Sequence, residues 1–174
     1  MKNKYKIGII LILIIAIISG LLFVLSNGKK RELILTDFKP VQEYQFGEVA
    51  WNSSMDEVEN LLDCTLETVS MGGPKDFDLC RISDVIYVLN GYEAKTSVEF
   101  RADKLVFIEF TFTELEDPYT FFKEIVSVWQ EVYGTESQMD EMRDVIDYHW
   151  QTETTQLAVM LDGREVIIYL CTLN

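Results

Sequence analysis

The chain has 174 residues, of which 48% are hydrophobic, and a formal net charge of −14 at pH 7. This length allows one ordinary domain plus an appendage. All 29 acidic residues but only nine of the fifteen basic ones lie in residues 32–174, whose net charge is therefore −20. Such a charge excludes a nucleic-acid-binding role, because neutralising phosphates requires clustered Lys and Arg. It favours either a docking surface for a basic partner or divalent ions, or a merely soluble, self-repelling body.

The N-terminal segment predicts a membrane anchor. Residues 1–6 carry three lysines, and residues 7–25 contain no charged side chain. At about 1.5 Å per residue, a helix of this length covers roughly the 30 Å hydrocarbon core. The run exceeds the roughly 7 to 15 apolar residues of a signal-peptide core, which favours an uncleaved signal-anchor helix. The small residues Ser26 and Gly28 leave cleavage open as the alternative.

Charge does not fix the orientation of this segment, because basic residues flank both of its ends. The short stretch 1–6 favours a cytoplasmic N-terminus, since that is the layout of an export signal. Residues 26–45 are then predicted to be a juxtamembrane linker, and residues 46–174 an acidic globular domain outside the cytoplasm. A domain in the cytosol is the alternative.

The first predicted element of the domain is a short helix at 55–62. Ser54, followed three residues later by Glu57, forms a capping-box pattern. Residues 85–89 are rich in β-branched and aromatic side chains, which favours a strand, and Asn90-Gly91 predicts a turn after it.

Further along the chain, alternation and helical spacing predict two strands and a longer helix. Residues 96–101 and 105–113 alternate as half-buried strands, with a tight connection at 102–104. The helix begins with Asp117 as N-cap and Pro118 at the first helical position, and Gly134 ends it. Its apolar residues recur at helical spacing: Phe122, Ile125, Val126, Trp129, Val132 and Tyr133.

The C-terminal part predicts an acidic loop and three strands. The loop covers residues 135–144, and the strands cover 145–151, 155–161 and 165–171, with Asp162-Gly163 as a hairpin signal. Because strands come in antiparallel runs, the predicted class is α+β. We expect an N-terminal transmembrane helix, then two helices packed on one face of an antiparallel sheet of about six or seven strands.

No catalytic residue is assigned. A serine nucleophile at Ser53 or Ser54 needs a base, and His149 is the sole histidine. The alternation around Trp150 predicts that Asp147 and His149 point away from the core, toward solvent. The G-x-S-x-G pattern is also absent. The two serines are therefore interpreted as a helix start, and the chain is predicted not to be an enzyme.

No metal or cofactor site is assigned either. Asp147 and His149 share a strand face, but spacing indicates no third ligand. The loop 135–144 offers oxygen ligands for Ca²⁺, yet it lacks the EF-hand pattern and its glycine. Residues 71–74, Met-Gly-Gly-Pro, have the composition of an anion cradle, but two aspartates follow closely, so a hairpin tip is expected.

The three cysteines, Cys64, Cys80 and Cys171, lack the spacing of a zinc site. A disulfide between Cys64 and Cys80 would stabilise the folded state by about 3 kcal/mol in the chain-entropy model, because it closes a loop in the unfolded chain. Three buried free thiols are equally consistent with the sequence, which leaves the choice open.

The stretch Trp51-Asn-Ser-Ser-Met-Asp-Glu-Val58 resembles the helix start, G-[MT]-[ST]-x-x-E-V, of the small lipoprotein subunit of the outer-membrane β-barrel assembly machine. Similar units occur in the β-lactamase-inhibitor-protein fold. The later helix ending in Val132-Tyr-Gly134, with a strand containing Trp150 and a hairpin after it, is similar to a second such unit. The resemblance implies a non-enzymatic protein-binding or scaffold module of the cell envelope.

The predicted function is that of a single-pass membrane protein, anchored by residues 7–25, whose extracytoplasmic acidic domain binds a protein partner. The acidic surface favours a basic partner. One alternative is an inhibitor or immunity-type protein that plugs the cationic site of its target. Another is an envelope hydrolase that depends on His149. No cofactor, nucleic acid or small-molecule substrate is predicted.

Overall fold

The computed structural model describes residues 28–38, 43–69, 77–142 and 145–173. These residues form an α+β fold, as predicted. The elements in chain order are β1 (Lys29–Glu32), α1 (Met55–Leu62), β2 (Leu66–Thr68), β3 (Phe77–Ile82), β4 (Val85–Leu89), β5 (Tyr92–Arg101), β6 (Leu105–Phe112), α2 (Pro118–Tyr133), β7 (Gln138–Met142), β8 (Val145–Gln151), β9 (Thr155–Asp162) and β10 (Glu165–Thr172).

The membrane anchor predicted at 7–25 lies outside the described residues, as does the N-terminus predicted at 1–6. Among the helices that the structure does describe, none has the length and apolar character needed to cross a bilayer.

The ten strands form one sheet that branches at β5. The main order is β1-β4-β5-β6-β10-β9-β8-β7, and β2 joins through β3, which pairs with β5. The start of β5 pairs with β4 and its end with β3, while β6 pairs along residues 95–100. Strand β1 runs parallel to β4, whereas the other pairs are antiparallel. The sheet is therefore mixed and larger than the antiparallel sheet of six or seven strands that was predicted.

The described part of the predicted linker, 26–45, is not a linker but part of the domain. Residues 29–32 form β1, and Leu33 and Phe38 are 2% and 0% exposed. Phe38 packs edge-on against Trp129, with ring centroids 5.6 Å apart. Sequence reasoning missed this because a strand of four charged residues shows neither alternation nor apolar character.

The basic residues of β1 bind the domain itself. Lys29 and Arg31 both form ion pairs with Asp63, at 2.8 and 3.0 Å. The Arg31 guanidinium also donates hydrogen bonds to the carbonyl oxygens of Leu62 and Asp63 at the end of α1. A cation is favourable there because the last carbonyls of a helix are unpaired and carry partial negative charge.

Helix α1 begins with the predicted capping box. The Ser54 hydroxyl accepts a hydrogen bond from the Glu57 backbone N–H, and the Glu57 carboxylate accepts one from the Ser54 backbone N–H at 2.8 Å. Its apolar side buries Val58 and Leu62, while Leu61 is 48% exposed. Two turns are too short to be stable alone, so capping and burial hold this helix in place.

Helix α2 has the predicted bounds. The Asp117 side chain accepts a hydrogen bond from the Thr120 backbone N–H at 3.0 Å, and Gly134 follows the last turn with φ of +86°. Its buried residues are Phe121, Phe122, Ile125, Val126 and Trp129. Val132, predicted to belong to the apolar face, is 46% exposed. Both helices contribute to a single buried cluster with one face of the sheet.

Two details of the sheet differ from prediction. A register irregularity between Glu99 and Phe100 places Leu105 in the core at 0% exposure, whereas Val106 is only half-buried. Strict alternation with Ile108 and Phe110 would instead place Val106 inside. The acidic segment predicted as a loop at 135–144 contains β7, which pairs with β8.

Candidate functional site

The face of the sheet opposite the helices is a surface to which the elements described so far assign no role. Side chains alternate along strands β5, β6, β8, β9 and β10, so one set enters the core and the other forms the opposite surface. We call this second set the outer face: Glu99, Phe107, Glu109, Thr111, Asp147, His149, Gln156, Ala158, Met160, Ile167, Tyr169 and Cys171. Ten of these residues are half-buried and two are buried.

Aromatic and aliphatic side chains occupy the middle of the outer face. Phe107 and Tyr169 stack with ring centroids 5.7 Å apart and an angle of 23° between their planes. Ala158, opposite Tyr169 on the neighbouring strand, is 0% exposed, and Met160 and Ile167 form the adjacent pair. These apolar side chains are not part of the main core cluster.

An Asp–His pair lies at one side of this apolar centre. Asp147 Oδ2 is 2.7 Å from His149 Nε2, and their side chains are only 15% and 12% exposed. The Tyr169 hydroxyl donates to the same Asp147 oxygen at 3.0 Å. Gln156 donates to the Tyr169 oxygen at 3.2 Å. The two residues point away from the core, as predicted, and on the outer face they are half-buried rather than fully exposed.

Two atoms of this pair have no hydrogen-bond partner among the described residues. Asp147 Oδ1 and His149 Nδ1 are each less than 1 Å² exposed, and no described group bonds to either of them. Leaving a buried polar atom unsatisfied costs about 1–3 kcal/mol, so native proteins contain few of them. The outer face therefore has unused hydrogen-bonding capacity at Asp147 and His149.

Two further carboxylates lie on the other side of the apolar centre. Burial raises the pKa of Glu99, and the nearby charge of Glu109 raises it further, although Arg101 opposes both effects. Glu109 accepts a hydrogen bond from the Thr111 hydroxyl at 2.8 Å. Within the described residues neither glutamate forms an ion pair closer than 4 Å.

The outer face does not contain an activated nucleophile among these groups. The hydroxyl nearest the Asp–His pair belongs to Tyr169, and burial together with the Asp147 charge raises the pKa of Tyr169 well above its ordinary value. Burial and the charge of Glu99 also raise the pKa of the Cys171 thiol. Both groups therefore stay protonated near neutral pH, whereas covalent catalysis uses a deprotonated or base-activated nucleophile.

Ser53 and Ser54, which were considered as nucleophiles, form hydrogen bonds that hold the fold together. Ser54 bonds to Glu57 in the capping box, and the Ser53 carbonyl accepts from the Leu105 backbone N–H at 2.9 Å. Among the described residues, the side chain of His149 makes its polar contacts with Asp147 and Tyr169. The structure does not bring the serines and His149 into one hydrogen-bonded set.

The other sequence candidates give no ligand cluster in the described part of the chain. The described residues contain no group of three or more His, Cys, Asp or Glu side chains placed to hold a metal ion. Residues 71–74 and Asp144 lie outside those residues. Cys64, Cys80 and Cys171 are free thiols, so the disulfide alternative for Cys64 and Cys80 is not realised in this structure.

A cavity of about 260 Å³ opens at one end of the sheet. Its lining includes Trp51, Thr155 and the exposed side chains of Glu43, Arg101 and Lys104. It is slightly smaller than the roughly 300–1,000 Å³ of ordinary ligand pockets, and its charges are mixed. These properties do not single out a ligand.

Alternation along their strands puts Asp147, His149 and Glu109 on the side away from the core, but it does not indicate the surface that they form together. Burial there comes from residues on adjacent strands, such as Tyr169 beside Glu109 and Ala158 beside His149. Those neighbours are known only after the strand order is known, so no local pattern indicates them.

Comparisons with known proteins add little to this geometry. No family model and no curated protein matches the chain. One similar solved structure is the crystal structure of a DUF4309 family protein (YjgB) from Bacillus subtilis, which is 18% identical. The match covers 69% of this chain and 78% of that one, with a TM-score of 0.41, and no property of that protein is carried over.

Proposed function

We propose that the chain is a membrane-anchored protein-binding module of the cell envelope, whose acidic domain lies outside the cytoplasm and catalyses no reaction. The apolar run at 7–25 motivates the anchor, and the resemblance around Trp51–Val58 motivates the envelope role. The observation that supports protein binding best is the outer face. Its aromatic and aliphatic centre, flanked by acidic groups, has the composition of a protein interface with a polar rim.

Site-specific crosslinking in native membranes tests this function. A photoreactive amino acid is placed at Ile167 on the outer face, and in a control at Gln130, which is exposed on α2. We expect one adduct of defined size from position 167 only, identified by mass spectrometry and weakened by the second-site change Tyr169→Ala. Equal adducts from both positions, or none from 167, would contradict the proposal.

Sidedness needs a separate measurement. Protease added to intact cells should remove the acidic domain if it lies outside the cytoplasm, and should leave it intact if the domain is cytosolic. A cytosolic marker protein, which must remain uncut, shows that the cells were closed during the treatment.

The inhibitor or immunity-type alternative rests on the same surface. The net charge of −20 in residues 32–174 and the carboxylates of Glu99, Glu109 and Asp147 suit a cationic target. Binding of that kind should weaken steeply with salt, because exposed charges are screened over about 8–10 Å at ordinary ionic strength. A binding strength that ignores salt would count against this alternative.

A further inference from the structure

The carboxylates of the outer face lie in two groups with an apolar strip between them. Glu99 and Glu109 lie on β5 and β6, whereas Asp147 lies on β8. Strands β10 and β9 separate β6 from β8. At about 4.8 Å between neighbouring strands, β6 and β8 are about 14 Å apart. Along the strands, Asp147 is two residues away from the row of Glu109, so the backbones of these two residues are about 16 Å apart, and Glu99 on β5 lies farther still. The strip between them holds Tyr169, Ala158, Ile167 and Met160.

Each acidic group can accept a further hydrogen bond or charge. At one end, the Asp147 side chain is 15% exposed, and its Oδ1 has no hydrogen-bond partner among the described residues. At the other end, Glu99 and Glu109 repel each other, and Arg101 offsets this repulsion only in part, since no described residue forms an ion pair with either glutamate within 4 Å. A cation at either end therefore gains charge-assisted hydrogen bonds.

The aromatic pair favours arginine over lysine as the source of that cation. A guanidinium is planar, carries five N–H donors, and stacks on aromatic rings while it binds a carboxylate. Phe107 and Tyr169 present such rings beside Glu109, which pairs directly with Tyr169 across the two strands. A lysine ammonium would meet the same charge but would lose the stacking.

We infer that the outer face binds an extended segment of a protein partner that carries two arginines four residues apart, with an apolar residue midway. In an extended chain, residues i, i+2 and i+4 share one face and span about 13–14 Å, and the length of two arginine side chains covers the remaining distance between Glu109 and Asp147. One arginine then meets Glu99 and Glu109, the other meets Asp147, and the apolar residue covers the Ile167–Ala158 strip. The inference rests on the proposed protein-binding function and specifies the chemistry of its partner.

The sole histidine offers a direct way to observe this binding. Because the sequence has one histidine, the imidazole signals of an NMR spectrum should come from His149 alone, and His149 contacts Asp147. The full chain in an uncharged detergent is titrated with the acetylated, amidated peptide Arg-Ala-Leu-Ala-Arg. Matched peptides carry citrulline, the uncharged isostere of arginine, or lysine at both ends, and a fourth places the two arginines adjacent to each other.

We expect saturable shifts of the His149 signals with the first peptide. Binding should be weaker with lysine and with adjacent arginines, and absent with citrulline. Asp147→Asn and Glu109→Gln should each weaken binding about fivefold, the upper range for a partly exposed ion pair. Glu131→Gln removes the same charge from the exposed side of α2 and should leave binding unchanged. Amide spectra of the variants show whether each remains folded.

Two results would overturn the inference. Equal binding of the citrulline peptide would show that charge is not recognised. A loss in Glu131→Gln as large as in Glu109→Gln would show that only the overall charge of the domain attracts the peptide. If either result appears while Ile167 still crosslinks to one partner in membranes, the arginine inference fails and the protein-binding function stands.

Discussion

The half-buried carboxyl group of Glu99 makes the stability of the folded protein depend on pH. Its pKa is raised above the ordinary value of 4.5, first by burial and then by the charge of Glu109. The folded protein therefore holds this proton to higher pH than the unfolded chain does. Because the folded state binds more protons in that window, the contribution of Glu99 to stability falls as the pH rises through it.

Glu99→Gln should remove this pH dependence. We expect the free energy of unfolding of the variant, relative to that of the unaltered protein, to increase from about pH 4 to neutral pH, because the variant no longer loses a proton there. Urea unfolding at several pH values measures the difference. Glu67→Gln, at an exposed position of β2, serves as the control. A difference that shrinks as the pH rises would contradict the assigned direction of the pKa shift.

Phe38 is the residue that most clearly joins the N-terminal part of the domain to its core. It is 0% exposed and contacts the rings of Phe46, Phe110 and Trp129. The carbonyl of Leu35, three residues earlier, accepts hydrogen bonds from Trp129 Nε1 at 2.9 Å and from the Tyr133 hydroxyl at 3.2 Å. At the scale of elements, the segment after β1 thus packs against both α2 and the sheet.

Phe38→Ala should therefore destabilise the protein by about 3–5 kcal/mol, the usual cost of removing a large buried aromatic side chain. The same substitution at a residue in a linker would hardly change the free energy of unfolding. Ile34→Ala provides the comparison, since Ile34 is 49% exposed and lies in the same segment, so its effect should stay within about 0.5 kcal/mol. Similar urea midpoints for both variants would show that the segment does not belong to the core.

The elements that were predictable are those whose signals are local. The capping box at Ser54, the bounds of α2 from Asp117 to Gly134, and the hairpin after β9 all depend on residues close in sequence. By contrast, β1 and β7 are polar strands that exist because a neighbour pairs with them. The parallel pairing of β1, and the outer face as a surface, depend on strand order and could not be derived from periodicity.

For the candidate site, the sequence predicted which way the side chains point, but not how deeply they are buried or which residues they contact. Alternation indicated that Asp147 and His149 lie opposite Trp150, and the structure agrees. The contact that closes the network comes from Tyr169, which is twenty residues further along the chain. Only the pairing of β8 with β9 and of β9 with β10 brings these residues together.

At the scale of the whole molecule, the three thiols report on the integrity of the fold. Burial is the main cause that raises the pKa of Cys64, to about 11, and nearby carboxylates add to it. Cys80 is 0% exposed, and burial raises its pKa as well. A thiol that is both protonated and covered reacts slowly with alkylating reagents, because the thiolate is the reactive form.

We expect iodoacetamide at pH 7.5 to modify Cys64 and Cys80 only as fast as the protein opens. All three thiols should react at once in urea without a reducing agent, giving three adducts by mass spectrometry. A single adduct under those conditions would indicate a Cys64–Cys80 disulfide. Fast modification of Cys64 in the native protein would contradict its assigned burial.

Because the sheet branches at β5, the pairing register of β5 is strongly constrained. The start of β5 pairs with β4 and its end with β3, while β6 pairs with it along residues 95–100, so three ladders constrain one strand. A slip by one position would turn Val98 and Phe100 out of the interior and bring charged neighbours into it. Such a slip would have to break all three ladders together. The pairing of β5 therefore fixes the register of the strands next to it.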